Sequence, residues 1–560
     1  MVMVTEYIRE KDTAKGEDAM KKKKITSILL TAVLLAGLAA GCGGPDKGGD
    51  KGAVPGGTEL VAGDYDGTIK LPLSEEPVTL KIWMTADANF FTVLSDYNES
   101  EFFKEMERRT NVHLEFDVPP SGEESTAYNL MISSGELPDM ICMPTMYPDG
   151  MDAAIDDGYY LDLTPYLDTY LYNYNQVRQT DPQFMKNTIT DSGRAAVIGI
   201  LNTEPQGPWV GMQIRQDWLD ELGLETPVTY DDLENVLTQF KEKKGCYAPL
   251  ALSSTANFAF GELAAGFGVN GSYFNKDGTV VAGYATDEWR AYLSKMHDWY
   301  VKGLIDPDFM TDSPFFVDTE LVTTEQSGVW YSMYTMASMY ESSVPGMEVK
   351  ALAGPKLNKD DVTHIRIADT YIANGGLAIS ADSEYKEIAM QWIDYLFTDE
   401  GMALANYGIE GESFNYAEDG SVEFTDEMLN NPDGLSITQA LISKTLVPSQ
   451  IPSHYDWTRE LIMVNEKDLL SYDIWAAPDH LDDWVMPSGL SLTSEENVEF
   501  ASHNTDINTY VQEASSQFIS GVLDIDGGAD WDNYMKTIED MGYKRCVELQ
   551  QAALDRYLQR

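Results

Sequence analysis

Basic side chains are scarce in this chain: 38 lysines and arginines stand against 92 aspartates and glutamates, a formal charge of -54 over 560 residues. Phosphate backbones are held through basic patches, so nucleic acid is excluded as a partner. Cysteine is scarce too. Of the four, no two have CxxC spacing, which removes zinc knuckles and dithiol redox motifs. Cys142, Cys246 and Cys546 are expected as buried thiols, with one disulfide and a free thiol as the alternative. The six histidines are isolated from one another, and HExxH and G-x-S-x-G are absent. No Gly-Lys dipeptide occurs, so the usual P-loop is excluded. One G-x-G-x-x-G, Gly266 to Gly271, follows an expected helix rather than a strand and reads as a turn. No metal and no cofactor is expected. Long apolar runs are confined to Ile25–Ala40, which is short for a bilayer span, and nothing later reaches 18 residues. What the chain does have is 43% hydrophobic and 11% aromatic residues, enough for a sizeable core in more than one folding unit.

The N-terminal pattern is that of an exported protein. Lys21 to Lys24 precede the apolar run, which closes on the small residues Ala39, Ala40 and Gly41 before Cys42. A cysteine in that place resembles the bacterial lipoprotein signal, in which it is acylated and becomes the mature N-terminus; Ala39 stands where a larger aliphatic residue is usual. Acylated Cys42 tethers the protein to the cell membrane, facing outward, without crossing it. Met20 makes a normal start, and Gly16-Glu17-Asp18 can be encoded by a ribosome-binding sequence. Residues 1–19 are therefore expected to be a gene-model extension, 20–41 the signal peptide and 42–69 a flexible linker rich in Gly, Asp and Pro.

The rest reads as α/β. Val78, Leu80, Ile82 and Met84 alternate as in a strand; Phe102, Phe103 and Met106 share one face of a helix over 98–110. A strand over 112–116, a helix marked by Ala127, Leu130 and Met131, and a strand over 140–143 complete a βαβαβ unit with parallel strands. Ligands in such sheets lie beyond the carboxyl ends of the strands, near Thr85–Phe90 and Pro144–Pro148. Trp83, Asp87 and Asn89 are candidates on that ground. Thr229 with Asp232 makes a capping-box start for a helix that carries Leu233, Val236, Leu237 and Phe240. Ile388, Trp392, Tyr395 and Leu396 repeat the stripe, as do Trp531, Tyr534, Met535 and Ile538; these are expected as core.

Beyond these patterns lies a distributed resemblance. Its segments are Phe102 to Val112, Ser134-Gly135-Glu136-Leu137-Pro138-Asp139, Ile214 to Leu224, Gly303-Leu304-Ile305-Asp306-Pro307, Tyr407 to Phe414, Phe518-Ile519-Ser520-Gly521 and Trp531-Asp532-Asn533-Tyr534. In this order the chain resembles the family 1 extracellular solute-binding proteins of ABC importers, in the long lipoprotein branch of Gram-positive bacteria. The resemblance implies a two-lobed periplasmic-binding-protein-like fold (type II) with ligand in the cleft between lobes. Lobe one is expected over 70–200 and 371–430, and lobe two over 201–370 and 431–560, with crossings near Leu201–Trp209 and Tyr371–Ser380. It also implies a carbohydrate ligand, an ABC permease as partner and no covalent chemistry. A secreted glycoside hydrolase or lyase, with a carboxylate pair hidden among many acids, is the alternative. A binding lipoprotein for peptides or another solute is a third.

Alginate-binding relatives carry a calcium loop where this chain has Lys241 to Pro249, with one carboxylate and three lysines, so calcium is not expected there. Asp524, Asp526, Asp530 and Asp532 are expected as a solvated turn. Sugar recognition asks for flat aromatic faces and planar polar groups beside turns. That adds Trp209 in Gly207-Pro208-Trp209, Trp330 and Tyr331 after Gly328, Asn374 before Gly375-Gly376, and Tyr407 and Glu410 in a family segment. Trp457, Trp475 and Trp484 lie in a turn-rich stretch without a placement. Arg215 is expected to pair within its own lobe, with Asp217 or Glu221.

Overall fold

The computed structural model describes residues 65–560 apart from 88, 203–207, 253–260, 311–315, 367–375, 433, 447–449 and 464–465. Cys42, the signal and most of the linker, as well as Asn374, lie outside the described residues. Two four-stranded sheets organise the rest. Their strands are β1 (Val78–Trp83), β2 (Val112–Asp117), β3 (Met140–Cys142), β4 (Val210–Arg215), β5 (Ala248–Leu250), β6 (Ser327–Met333), β7 (Val349–Leu352) and β8 (Leu377–Ile379). The helices used below are α1 (Glu101–Thr110), α2 (Glu124–Ser134), α3 (Tyr230–Gln239), α4 (Asp287–Val301), α5 (Lys386–Tyr395), α6 (Asp399–Tyr407), α7 (Ile437–Lys444), α8 (Ser494–Ser520), α9 (Ala529–Asp540) and α10 (Tyr543–Gln559).

The first sheet has the order β8-β3-β1-β2. β1 runs parallel to β2, with Val78 opposite Val112, and to β3, with Ile82 opposite Met140. The local chemistry explains the crossover. Ser100 caps α1 by accepting from the Phe102 N–H at 3.3 Å, and Asn111 ends it with a φ of 59°, turning the chain straight into β2. Phe102, Phe103 and Met106 are buried against the sheet, and Trp392, Ile393 and Leu396 of the α5 region join the same core. β8 enters antiparallel beside β3, Leu377 opposite Cys142, bringing a distant stretch of chain into this sheet.

The second sheet, order β7-β4-β6-β5, mixes directions: β4 is antiparallel to both β7 and β6, while β5 is parallel to β6. α3 starts on the full capping box of Thr229 and Asp232 and buries Leu233, Val236 and Leu237. Phe240 then lies so close to β6 that a Cβ on Gly328 would sit 2.2 Å from its ring, so that position admits no side chain. α4, α8 and the Trp531, Tyr534 and Ile538 stripe of α9 complete this core. Cys142, Cys246 and Cys546 are buried free thiols.

One boundary differs from the expectation. Ile442, Leu446 and Ile451 pack in the core of the first sheet, so the chain stays there past residue 430, as far as Asp456, whose N–H donates to Asn406 at 3.0 Å. The apolar face of α7 decides this, because it is covered by residues of α1 and α6 rather than by the second sheet. Gly266 and Phe267 end a short helical turn, Glu262–Phe267, which Gly268 closes at φ 72°; Val269 to Gly271 follow it. A Cβ on Gly266 would meet the Pro355 carbonyl at 2.0 Å, so this glycine serves close packing. Among the described residues no helix is long and apolar enough to cross a membrane.

Candidate functional site

The two sheets meet where their strands end. Ile198 exchanges both backbone hydrogen bonds with Leu377, at 2.8 and 2.9 Å, and Leu201–Asn202 pairs in parallel with His454–Tyr455. The Met143 N–H, just past β3, donates to the Gly376 carbonyl at 3.0 Å. At the end of β1 the Gln450 amide grips Thr85, accepting from its N–H at 3.0 Å and donating to its carbonyl at 3.2 Å. Seven residues later the same segment delivers Trp457 to the head of β4. One short stretch of chain thus joins the strand ends of the first sheet to those of the second.

At that head the side chains are aromatic. Trp209 meets Trp457 edge-on, with centroids 5.1 Å apart, and Tyr334 at 5.7 Å; the Tyr334 N–H donates to the Trp209 carbonyl at 3.1 Å. Tyr472 backs both Tyr334 at 5.0 Å and Trp457 at 5.4 Å. Trp475 closes the base by donating its Nε1–H to the Met212 carbonyl at 2.9 Å. Its ring lies where a Cβ on Gly211 would fall, 2.4 Å away, so glycine is required in β4. The wall has a polar rim. The Tyr455 hydroxyl donates to Glu460 at 2.6 Å, and Glu460 also holds Arg459, 3.1 Å away, whose guanidinium lies 5.1 Å from the Tyr455 ring centroid. Arg459 and Glu460 are both buried, and the pair neutralises itself inside the wall. Trp209 and Tyr455 are only half-buried. Flat rings with fixed polar neighbours suit a ligand that has both C–H faces and hydroxyl groups.

The expected residues divide on this geometry. Trp209 stands in the wall. Asp87 and Asn89 stand at the end of β1 as expected, but Asp87 is occupied: its carboxylate accepts from the Asn89 and Phe90 N–H groups at 2.8 and 3.1 Å, and Asn89 is exposed. Glu410 is exposed beside the Glu410–Phe414 bridge. Four candidates are corrected. Trp83 is 1% exposed and packs edge-on against Tyr128 at 5.4 Å, on the helix-covered side of the sheet. Trp330 is fully buried, its Nε1–H donating to Gln213 at 2.9 Å. Tyr331 faces the opposite core, beside Phe316. Tyr407 is buried and donates to Asp456 at 2.6 Å. The reason for the β6 pair is length. The strand runs on to Met333 with both faces covered, so the first residue past its end is Tyr334. Tyr334 and Gln450 were missed as candidates, and Trp457 was named without a placement; Tyr334, three residues past Tyr331, was within reach of the strand-end rule.

Arg215 pairs with Asp217 at 2.6 Å and Glu325 at 3.1 Å and lies 4.2 Å from the Trp218 ring centroid, inside its own sheet. The Lys241 to Lys244 stretch is tied down by lysine contacts: Lys241 to the Lys302 carbonyl at 2.5 Å and Lys244 to Glu221. The aspartates near 524 cap a turn. Asp524 accepts from the N–H groups of Asp526 and Gly527 at 3.1 and 2.8 Å, and Asp530 from that of Asp524 at 2.9 Å.

Residues 95–403, more than half of the chain, match the profile of the family described as bacterial extracellular solute-binding protein. The chain belongs to that family. It is 24% identical over 498 residues to lipoprotein LipO of Bacillus subtilis (strain 168), covering 85% of this chain and 93% of LipO. It is 23% identical over 536 residues to the fructooligosaccharide ABC transporter substrate-binding protein FusA of Streptococcus pneumoniae serotype 4, covering 87% and 92%. The solved structure of alginate-binding protein AlgQ2 without calcium ion superposes with a TM-score of 0.67 at 22% identity, over 86% of this chain and 99% of that one. That likeness shows the fold, a two-lobed α/β binding-protein architecture in which the two sheets are the lobe centres. Members of this family are extracellular binding proteins.

Proposed function

We propose that this solute-binding protein is a cell-surface lipoprotein of an ABC importer, which captures a carbohydrate, an oligosaccharide, between its lobes and hands it to the permease. The observation that carries the reading is the aromatic wall at the interlobe joint, where Trp209 and Tyr455 offer ring surface and Arg459–Glu460 fix the rim. FusA is named for fructooligosaccharides, which supports a sugar as the ligand class. The first lobe spans residues 70–200 and 371–451, and the second 210–366 and 457–560. Asn89 and Glu410, exposed on the first lobe, supply hydroxyl-pairing groups, with Asp87 holding the Asn89 backbone in place and Asn374 a further candidate. A sugar that touches both lobes selects the closed form, and the closed form docks on the transmembrane subunits. Acylated Cys42 keeps the protein at the outer face of the cell membrane.

The protein does no chemistry on its ligand. Glycoside hydrolysis needs two carboxylates free to act on one bond. In the described wall Asp456 and Glu460 are each already bonded to a tyrosine hydroxyl, which supports binding without turnover. The test is thermal unfolding of the mature chain against neutral and acidic oligosaccharides, followed by mass analysis of the sugar. A ligand at a hundred times its dissociation constant adds about 2.7 kcal/mol of stability. A shift with intact sugar is the expected result. Cleaved sugar makes the protein an enzyme, and no shift across the panel removes the carbohydrate assignment.

A further inference from the structure

Away from the aromatic wall, the second lobe touches the first at the end of α10. α10 is anchored in the second core by Cys546, but its last turn leaves that core and lies against residues 183–191, whose Phe184 belongs to the first core. Arg560 is 2% exposed there. Its guanidinium donates to the carbonyl oxygens of Lys186 at 3.0 Å, Ile189 at 2.8 Å and Gly489 at 2.8 Å, and to the Asp191 carboxylate at 2.5 Å. Arg556 donates to the other Asp191 oxygen at 2.6 Å and to Glu496 at 2.6 Å. The start of α8 reaches across as well: the Ser494 hydroxyl donates to Asp149 at 2.7 Å and the Asn497 amide to the Pro148 carbonyl at 2.7 Å. Between these contacts lies a cavity of about 370 Å³, walled by Thr145, Asp149 and Thr190 from the first lobe and by Ser491, Thr493 and Arg556 from the other side. A space walled from two lobes exists only while the lobes are together.

Asp191 is the centre of this arrangement. It sits in the first lobe, and the side chains that hydrogen-bond its carboxylate come from the second: Arg556 in α10 and Arg560 directly after it. Its side chain is 15% exposed, so the lobes can part here only if one carboxylate and two guanidinium groups exchange each other for water. A half-sheltered ion cluster is worth only a modest free energy over the same groups in water, but a modest free energy is enough to tilt an equilibrium between two arrangements a few-fold. We propose that Asp191, Arg556 and Arg560 form an interlobe latch that favours the closed arrangement before any sugar is bound. The inference rests on the hinge-closure reading above and adds to it a built-in bias, so that the sugar need supply only part of the closing free energy.

The test measures the interlobe distance directly. Spin labels are placed at Leu130→Cys on α2 and Val301→Cys on α4, exposed positions on the first and second lobes, while the three native thiols of the lobes are buried. Distance distributions are recorded by pulsed dipolar spectroscopy on the protein without sugar. The short-distance population is expected to fall at least threefold in Asp191→Asn and in Arg560→Gln, with no further fall in the double variant because both break one cluster. It should also fall in wild type at high salt, and Asp191→Glu should retain most of it. Circular dichroism and thermal unfolding confirm that each variant folds, and Arg556→Lys, which keeps the charge, is a second probe if Arg560→Gln does not. Unchanged distributions in the folded Asp191 and Arg560 variants overturn the latch. If the sugar panel leaves the wild-type distances unmoved while the variants still differ, the latch stands and the proposed ligand class fails.

Discussion

Trp330 lies in β6 and Trp209 directly before β4, its neighbour in the same sheet, and each follows a glycine or proline within two residues, yet they do opposite things. Trp330 is sealed: its ring meets Tyr340 edge-on at 5.6 Å, and its one polar atom is spent on Gln213. Trp209 is one residue outside its strand, half-buried, and its neighbours Trp457 and Tyr334 meet its ring while leaving part of it uncovered. A single step past the strand end decides whether a ring is sealed in the core or left half-buried. Composition and turn residues do not report that step.

The comparison can be broken most forcefully at its buried end. Trp330→Ala should destabilise the protein by about 3–5 kcal/mol, the usual cost of emptying a large ring from a core, seen as a lower denaturation midpoint at unchanged slope, while any folded fraction keeps its sugar affinity. Glu460→Ala should come next. It leaves Arg459 buried without its partner, a loss of about 3 kcal/mol, and frees the Tyr455 hydroxyl, so stability and binding fall together. Trp209→Ala sharpens the contrast from the other side. Its expected cost is about 2 kcal/mol in binding, roughly 30-fold in affinity by calorimetry, with little movement of the denaturation midpoint. If Trp209→Ala unfolds the chain as severely as Trp330→Ala does, the two rings are not different in kind.

Titration sharpens the contrast most gently. Burial pushes the Asp394 carboxyl up to about 7 against three N–H bonds from Asn173 and Tyr174, and burial likewise raises Glu262 to about 7 against the pull of Arg366. Both acids hold a proton in the fold that they lose in the unfolded chain between about pH 4 and 7. The folded state therefore binds more protons in that window, and stability falls as pH rises through it. The slope approaches about 1.4 kcal/mol per pH unit for each group. Asp394→Asn should remove its share of that slope, measured by chemical denaturation at several pH values. Glu234 behaves oppositely. Burial works against its charge, but Lys295, Lys302 and Trp299 together hold it down to about 2, so its contribution is present above the usual carboxylate range and lost only as pH falls towards 2.

Much of the framework was legible residue by residue. The β1–α1–β2–α2–β3 unit, the Thr229 capping box and the buried stripes of α3, α5 and α9 follow from periodicities of 2 and 3.6, and from caps that act within four residues. The Arg215–Asp217 pair was legible for the same reason, being two residues apart. Of the described candidates, Trp209 reaches the aromatic wall, and Asp87 and Asn89 lie just past the end of β1 where the strand-end pattern places them. Trp83, Trp330, Tyr331 and Tyr407 were misjudged because both faces of their elements are covered by other elements, Tyr128 of α2 over Trp83 and Tyr340 and Gln213 against Trp330. Sequence spacing carries no trace of that covering.

The sequence by itself determined the class of the protein. Its export pattern, acidic balance, missing catalytic motifs and ordered segments from Phe102 to Tyr534 point to one exported α/β binding family. Only the tertiary structure decided which rings are exposed, that α7 packs with the first lobe, and that Asp191 meets Arg556 and Arg560 across more than 360 residues of chain. Local pattern records which face of an element is apolar. It does not record which of several apolar faces will cover it, because that choice is settled by the packing of all of them at once.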